Sequence, residues 1–440
     1  MNSSKVKIIQ VSSEGVRACA SAARISTTDG SALTIFDAAQ GGEKDVRLIR
    51  KVLSSGHKSL LEHLNLTLAF DSVSVVVEQA MIEARLNAFT VKSRRYVNYS
   101  DAGYVVPEGL DAAQERDYRA YMDDCFERYS QLLELGVPRE DARYVLPYAF
   151  RSNFYMTLNA RSLLQIVMML TKGRGSRFPE LYQLGIQLRE QLDALLPGVC
   201  DQEEKHYAAA FVAPLPQRFG EGRAVENRVE MLSAPADARA QLSSAMAFTG
   251  RIPQGRLANE AELAGLVADA RPRELEELNY AFCVHGVSQA CITHFVRHRI
   301  QSILVPEAAR ALEKGDYVLP ESVSANPEAL AIYAPAFARA ARLLPELEAA
   351  GMSECHRMYF VLSGHVSDIR LSMNARELMH FLKLRTCNRA QWEIRNAAWQ
   401  MQRLLAQSYP ELFAQYGPSC RMDGRCPEGR LSCGKPYSKQ

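Results

Sequence analysis

Alternating apolar and polar positions predict a β-strand over residues 65–77, a run rich in Leu, Val and Thr, and its counterpart over residues 279–287. Asn374 is predicted to cap a helix whose apolar residues recur at helical spacing, and Asn159 is predicted to cap its twin. Further helices are predicted over residues 112–135, 178–196, 326–350 and 388–407. Each half is therefore predicted to be an α+β unit with many helices around a mixed sheet, whose strand order the sequence leaves open.

The chain contains an internal repeat. Residues 158–163 (LNARSL) recur as residues 373–378 (MNAREL), and residues 104–107 (YVVP) recur as residues 317–320 (YVLP). The offsets, 373 − 158 = 215 and 317 − 104 = 213, agree closely, and two separated matches at one offset indicate a tandem duplication. Proline and glycine interrupt the periodic segments between residues 215 and 240. We predict two domains, residues 1–225 and 226–440, the second with a cysteine-containing tail over residues 415–440.

Composition narrows the class of protein. A chain of 440 residues is longer than a domain with a single hydrophobic core usually is. Its 47% hydrophobic and 23% charged residues are near the average for globular proteins. A formal charge of +2 gives no basic field for nucleic acid, and no apolar run approaches the ~18 residues of a membrane span. The opening residues lack a signal-peptide pattern. We expect a cytoplasmic protein that binds neither nucleic acid nor membranes.

The ten cysteines are scattered, mostly in apolar runs, and are predicted to be reduced and mostly buried. Cys420, Cys426 and Cys433 lie in the Gly/Pro-rich tail at spacings unlike the paired cysteines of zinc modules, and no fourth ligand is evident. We therefore predict no metal site.

The second half carries cationic groups directly after its predicted strand, where His294 is followed by Arg297, His298 and Arg299. Successive helical residues turn by about 100°, so these groups cannot share one helical face. They suit the end of a helix, where several directions converge on an anion. Arginine offers a planar fork of donors, and histidine can donate from either ring nitrogen. A solvated charge run is the alternative for Arg-His-Arg alone.

A second signal favours an anion site over a solvated charge run. It consists of residues 374–385 (NARELMHFLKLR) followed by residues 390–395 (AQWEIR). Together with Arg-His-Arg it resembles the flavin-dependent thymidylate synthases, whose flavin site carries Arg-His-Arg and whose C-terminal helix carries Asn-Ala-Arg and a later arginine. The FAD contacts that this resemblance implies are Arg297, His298, Arg299, Asn374 and Arg376, and the substrate contacts are His294, Arg297 and Arg385. A catalytic role for Arg385 is physically sensible. A cation near a uracil carbonyl stabilises charge on the ring, which makes C5 nucleophilic without an enzyme thiol.

The first half resembles the same family through residues 56–63 (GHKSLLEH), 93–96 (SRRY) and 143–147 (RYVLP). In the family, the Ser-x-Arg-Tyr loop and the arginine before Val-Leu-Pro hold the phosphate and sugar of dUMP. The resemblance transfers this role to Ser93, Arg94, Arg95 and Arg143, whose hydroxyl and guanidinium donors suit a phosphate. It also implies a catalytic role for His57 and a cofactor contact for Ser59. A buried structural histidine is the alternative for His57.

Each half lacks the motif that the other keeps. The first half has Glu83-Ala84-Arg85 in place of Arg-His-Arg, and Leu170 in place of the late arginine. The second half has Glu307 in place of the phosphate-binding serine, and Ala309 in place of the following arginine. Because active sites of the family are built between subunits, these complementary losses predict a pseudo-dimer. One composite site, expected within one chain, keeps both sides.

The resemblance implies an FAD-dependent methyltransferase that methylates dUMP at C5, with carbon from methylenetetrahydrofolate and electrons from NADPH. The usual assembly of the family implies a homodimer of this chain that imitates a homotetramer. His294, where the family usually has glutamine, and Val91 motivate one alternative, a different pyrimidine nucleotide as acceptor. A non-catalytic paralogue that binds flavin or nucleotide is the other alternative.

Overall fold

The computed structural model describes residues 4–208 and 211–437. These residues form two compact units. Unit 1 takes the residues up to Gln217 together with Ala331–Leu362, and unit 2 takes Arg218–Leu330 and the residues from Ser363 onward. The first crossing, after Gln217, lies close to the predicted boundary at residue 225, but the allocation of Ala331–Leu362 to unit 1 was not foreseen. The boundary of the duplicated copies themselves stays a prediction.

The strands are, in chain order, β1 Lys5–Val11, β2 Asn65–Ser74, β3 Ala88–Val91, β4 Arg151–Asn159, β5 Ala224–Val225, β6 Arg228–Ser233, β7 Asn279–Ser288, β8 Ser302–Leu304, β9 Tyr317–Val318 and β10 Val366–Asn374. The helices are α1 Gly15–Arg24, α2 Ala32–Ala38, α3 Glu43–Ser54, α4 Val75–Ile82, α5 Ala112–Glu134, α6 Arg139–Ala142, α7 Ala160–Thr171, α8 Pro179–Leu195, α9 Val199–Glu204, α10 Ala238–Phe248, α11 Glu260–Ala268, α12 Gln289–Phe295, α13 Glu321–Ser324, α14 Pro327–Ala349, α15 Ala375–Arg385, α16 Trp392–Ser408, α17 Pro410–Phe413 and α18 Ser419–Met422. Helices therefore accompany the strands in both copies, as the predicted α+β class requires. No helix within the described ranges is both long enough and apolar enough to cross a membrane.

Each unit contains a four-stranded sheet. The strand order is β1-β2-β4-β3 in unit 1 and β6-β7-β10-β8 in unit 2, so the two orders correspond strand by strand. All pairs within these two sheets are antiparallel. The sequence predicts a mixed sheet, whereas the parallel pairing that the described residues show is the separate ribbon of β5 with β9.

The two units repeat the same contacts between side chains and backbone. Ser74 caps α4, while its amide and hydroxyl donate to the carboxylate of Glu180 at 2.9 and 2.6 Å. Ser288 caps α12, and its amide and hydroxyl donate to the carboxylate of Glu393, both at 2.6 Å. A shared network of this kind, at the shared offset, is what a duplicated fold produces.

Most predicted element ends agree with the structure, with one informative exception. The predicted N-caps Asn159 and Asn374 are confirmed, because each side chain accepts from an amide three residues later at 2.9 Å. The strand predicted over residues 65–77 is wrong for its last three residues, which begin α4. Ser74 ends the strand through its cap and its bonds to Glu180. These contacts override the β propensity of three consecutive valines.

Unit 1 contains both copies of one helical segment, because the counterpart of α5 is α14, which belongs to unit 1 from Ala331 onward. Asp124 of α5 forms an ion pair with Arg339 of α14 at 2.5 Å. The buried hydroxyl of Tyr121 donates to the carbonyl of Phe360 at 3.0 Å, and their rings lie 5.1 Å apart. The long helix of the first copy therefore buries its aromatic face against residues as many as 239 positions later.

Candidate functional site

The Arg-His-Arg segment of unit 2 follows directly on the end of α12. Ser288 caps this helix by accepting from the amide of Cys291 at 3.0 Å, and Phe295 is its last residue. Beyond it, Arg297 and Arg299 are exposed, whereas His298 is only 5% exposed. The segment therefore lies at a helix end, as predicted, and presents its two arginines to solvent.

His298 links two side chains of α15. Its Nδ1 lies 3.2 Å from a carboxylate oxygen of Glu377, and its Nε2 lies 2.9 Å from Nε of Arg385. Arg385 also donates from Nη2 to the backbone carbonyl of His294 at 3.2 Å. We call Glu377, His298 and Arg385 the histidine bridge. It holds the arginine that the sequence predicts to be catalytic.

The chemistry of Arg385 determines the tautomer of His298. The Nε–H of a guanidinium can only donate, so Nε2 of His298 accepts and carries no proton. The proton of the neutral ring then lies on Nδ1, which donates it to Glu377. Burial lowers the pKa of His298 below its usual range, and the charges of Arg385 and His380 act in the same direction, against Glu377. His298 is therefore neutral at pH 7.

This lowered pKa also affects the stability of unit 2. At pH values below the ordinary pKa of histidine, the unfolded chain takes up a proton at His298 that the folded protein does not. The unfolded state then binds more protons than the folded state. The contribution of His298 to stability is therefore lost as the pH falls from the ordinary pKa of histidine through the lowered pKa of the folded protein. It is fully present at neutral and higher pH.

Asn374 and Arg376, both predicted to contact FAD, make contacts that recur in the unit without the flavin signature. Asn374 uses its Oδ1 to cap α15, as its twin in unit 1 caps α7. Arg376 pairs with Glu276 at 2.6 Å, and Arg161 of unit 1 pairs with Glu62 at 2.5 Å. These contacts belong to the repeated architecture. Flavin contacts by Asn374 and Arg376 stay a prediction.

Arg94, predicted to bind the substrate in unit 1, is buried in an ion pair. Its Nη2 lies 2.6 Å from Oε1 of Glu78, which is fully buried on α4. The other carboxylate oxygen of Glu78 accepts from the hydroxyl of Ser152. Removing one partner of such a pair typically costs about 3–5 kcal/mol, because it leaves a buried charge uncompensated. Arg94 therefore stabilises unit 1, whatever ligand it contacts.

Arg143 is a buried cation, 3% exposed, for which the described residues supply no carboxylate partner. Its Nε donates to the carbonyl of Glu140 at 3.0 Å, and its guanidinium lies 5.8 Å from the centre of the Tyr144 ring. Burial lowers the pKa of Arg143, and the charges of Arg94 and Arg95 add to this effect. Nη2 of Arg143 and Nη1 of Arg94 are buried without an acceptor in the described part of the chain. Such donors suit an anion such as a phosphate.

The remaining predicted residues of unit 1 are more exposed. Ser93 accepts from the amide of Arg95 at 3.2 Å, and the guanidinium of Arg95 pairs with Glu140. His57 and Ser59 are exposed where the chain enters the 3-10 turn Ser59–His63. The alternative interpretation of His57 as a buried structural histidine is therefore wrong. Its catalytic role stays a prediction.

Side chains that act together in one unit are absent together from the other. At offsets of 214 or 215 residues, the histidine bridge (His298, Glu377, Arg385) corresponds to Ala84, Ser162 and Leu170 in unit 1. The buried pair of Arg94 with Glu78 corresponds to Ala308 and Ile292 in unit 2. Each of these two clusters is therefore present as a whole in one unit and absent as a whole from the other.

Unit 1 has a pocket of about 210 Å³ where it lacks the histidine bridge, lined by Glu83, Ala84, Arg85 and Asn87 among others. Glu83 pairs there with Arg174 at 2.9 Å. None of the predicted site residues lines this pocket. Glu83 therefore neutralises one of the two arginines that line this pocket.

Within the described residues, no three His, Cys, Asp or Glu side chains are placed to hold a metal ion. None of the ten cysteines, all of which lie in the described ranges, forms a disulfide bond. Five are buried, and the three of the tail, Cys420, Cys426 and Cys433, are half-buried. The prediction that most cysteines are buried therefore holds for half of them.

The protein is a duplicated α+β unit with buried arginines in one copy and a histidine-held arginine in the other. The sequence model of the family described as thymidylate synthase complementing protein matches residues 7–198 and again residues 228–411. The chain belongs to this family, as a tandem duplication of its domain. The predicted family, duplication and α+β class are thereby confirmed.

Named relatives agree with this family. The flavin-dependent thymidylate synthase of Geobacter sulfurreducens is 37% identical over 164 residues, which are 37% of this chain and 70% of the relative. That of Nitratidesulfovibrio vulgaris is 33% identical over 199 residues, 42% of this chain and 81% of the relative. The predicted enzyme type, the flavin-dependent thymidylate synthase type, is confirmed, and the family implies a flavin cofactor.

A solved structure is also similar. The UMP/dUMP methylase PolB from Streptomyces cacaoi, bound with 5-Br dUMP, is 25% identical, over 47% of this chain and 96% of that chain. Its TM-score of 0.38 is too low to support a conclusion about this protein.

Proposed function

We propose that this chain is an FAD-dependent enzyme that methylates C5 of dUMP, with carbon from methylenetetrahydrofolate and reducing equivalents from NADPH. The observation that carries the proposal is the buried donor pair of unit 1, Nη1 of Arg94 and Nη2 of Arg143. A phosphate monoester supplies the acceptors that these nitrogens lack. Membership of the thymidylate synthase complementing family supplies the chemical context.

Nucleotide binding is assigned to unit 1. Arg94, Arg95 and Arg143 bind the phosphate by charge-assisted hydrogen bonds, and the hydroxyl of Ser93 is a further donor. These bonds are equally strong in the ground state and the transition state, so they set affinity more than turnover.

Activation of the pyrimidine is assigned to Arg385 of unit 2. Its guanidinium stabilises the negative charge that develops on the ring while C5 attacks, and this contact strengthens toward the transition state. The exposed guanidinium groups of Arg297 and Arg299 fit the pyrophosphate of FAD, because they offer several donors two residues apart. Bound flavin would supply the redox and one-carbon chemistry that no side chain can. His57 and Ser59 are assigned to the cofactor side.

Visible absorption and tritium release test the proposed function. Purified protein should show flavin absorption that changes when dUMP is added, and should release tritium from dUMP labelled at C5 when both co-substrates are present. A flavin spectrum that responds to another pyrimidine nucleotide but not to dUMP would favour the alternative acceptor, which His294 motivates. Protein that binds no added FAD would contradict both assignments.

The flavin contacts are tested by alanine substitutions of Arg297 and Arg299. Each should weaken FAD binding by about tenfold or more, because a hydrogen bond to a charged group is worth roughly 1.5–3 kcal/mol. Arg85→Ala is the matched control, because Arg85 is exposed and occupies the position of Arg299 in unit 1. FAD affinity is measured by fluorescence titration of the flavin-free protein. Equal losses at Arg85 and Arg299 would contradict a single functional flavin signature.

A further inference from the structure

We infer that Glu377 and His298 are positioning residues for Arg385, which fix the direction of its guanidinium, and that His298 is not a ligand of the flavin. The inference rests on the proposed role of Arg385. It replaces the sequence-based assignment of His298 to the cofactor with a role inside the protein.

The hydrogen-bond capacity of His298 supports this role. A neutral imidazole has one donor and one acceptor. The acceptor, Nε2, receives Nε–H of Arg385 at 2.9 Å, and the donor, Nδ1–H, faces Glu377 at 3.2 Å. Neither nitrogen is left to donate to a phosphate or a flavin ring. At 5% exposure, the imidazole also presents almost no surface to a ligand.

The surroundings of His298 favour one orientation of the bridge. Phe295 and Phe381 pack near it, with the Phe381 ring centre 4.8 Å from that of the imidazole. The charged or titratable groups that act on it, Glu377, Arg385 and His380, all belong to α15. Glu377 lies in the first turn of α15, where the helix dipole stabilises a carboxylate. The carboxylate of Glu377 accepts the hydrogen bond from Nδ1–H, and this leaves Nε2 to accept from Arg385.

The repeat provides an internal comparison. Unit 1 retains the fold and the capping asparagine of α7, yet it has Ala84, Ser162 and Leu170 at the three bridge positions. The α+β unit therefore folds without the bridge. A purely structural role for Glu377 and His298 does not account for their presence in unit 2 alone.

Three substitutions test the inference in the flavin-loaded, full-length protein. Glu377→Gln and His298→Asn should each lower kcat by up to about 100-fold, because a misplacement of about 1 Å can have that effect on a catalytic group. The KM for dUMP and the FAD content should stay within about twofold, since phosphate and flavin contacts lie elsewhere. His298→Gln should recover part of the loss, because its longer side chain can place an acceptor where Nε2 was.

His285→Asn is the matched control. His285 is also a histidine of unit 2 bonded to carboxylates, at 2.9 Å to Asp368 and 3.2 Å to Glu230, but it lies on β7 outside the bridge. This variant should keep the wild-type kcat. A fall in kcat equal to that of His298→Asn would show that loss of any such histidine disturbs unit 2, and would overturn the inference.

Nitrogen NMR of the imidazole provides a readout that does not depend on activity. With ¹⁵N-labelled histidine, the His298 signal should show a proton on Nδ1 and none on Nε2 at pH 7. Arg385→Ala should release Nε2 and change its shift. In Glu377→Gln the pKa of His298 should fall further, because the carboxylate that favours the protonated ring is gone. The acid limb of the profile of kcat against pH should move to lower pH by as much as the pKa of His298 falls.

The possible outcomes separate this inference from the proposed function. If the NMR signature is as described but no pyrimidine nucleotide is methylated, the bridge stands and the proposed function fails. If the enzyme methylates dUMP but Glu377→Gln and both His298 variants match the wild-type kcat, the inference fails alone. It also fails if Nε2 of His298 is protonated at pH 7, or if kcat per bound flavin is unchanged while FAD content falls.

Discussion

Arg385→Ala is expected to lower the turnover of dUMP by about 100- to 1,000-fold, with a much smaller change in its KM. Removing one preorganised donor that faces developing charge typically has an effect of this order. The donor is preorganised here, because His298 and the carbonyl of His294 hold Nε and Nη2 of Arg385 before any substrate arrives. Turnover is measured as tritium released per bound flavin.

Arg370→Ala is the control for this prediction. Arg370 is an exposed arginine of β10 in the same unit, outside the proposed machinery, and its removal should leave turnover unchanged. If Arg385→Ala instead weakened nucleotide binding and preserved kcat, Arg385 would be a ground-state contact. Full activity in this variant would remove Arg385 from the site.

Arg143→Met should weaken the binding of dUMP roughly 10- to 100-fold, while the protein without nucleotide melts at the same temperature as wild type or higher. The loss follows from one charge-assisted contact worth roughly 1.5–3 kcal/mol. The stability follows from the burial of Arg143 without a carboxylate partner in the described residues, since burial of an unpaired charge is unfavourable and an apolar side chain of similar volume relieves it. Calorimetric titration and thermal melts measure the two quantities.

Arg94→Met is a matched variant with the opposite expected effect on stability. It also replaces a buried arginine by methionine, but it leaves Glu78 buried without its partner, which should destabilise unit 1 by about 3–5 kcal/mol. Dissimilar melts with similar losses of nucleotide affinity would support both assignments. Destabilisation of the same size in both variants would contradict the view that Arg143 is kept for its ligand.

Local sequence signals predicted much of this fold. Asn159 and Asn374 cap their helices because capping depends on an amide three residues away, which the sequence displays directly. The duplication was visible because the same cap motif recurs at one offset. The family motifs also led to the two arginine clusters. The end of β2 was mispredicted because the contact that sets it, from Ser74 to Glu180, spans 106 residues.

The partners of the cationic groups could not be predicted in the same way. Glu377 lies within the motif of residues 374–385, yet its bond to His298 joins residues 79 positions apart. One signal was available, because the repeat has glutamate in one copy and serine in the other. No sequence signal identified Glu78 as the partner of Arg94, since Glu78 lies among the apolar residues of α4. The hydrophobic periodicity of a sequence indicates that a residue is buried, but it does not identify the charged side chain with which that residue pairs.

Unit 1 is formed by two separate stretches of the chain, and this affects the order in which the protein folds during synthesis. When residue 217 has been translated, Tyr121 and the buried face of α5 still lack the residues they pack against, which end at Leu362. The remaining 145 residues (362 − 217) take roughly 7–30 s at about 5–20 residues per second. Unit 1 therefore cannot complete its core in the usual order, N-terminal domain first. The core of unit 1 is completed only when residues 331–362 of the second copy have been made.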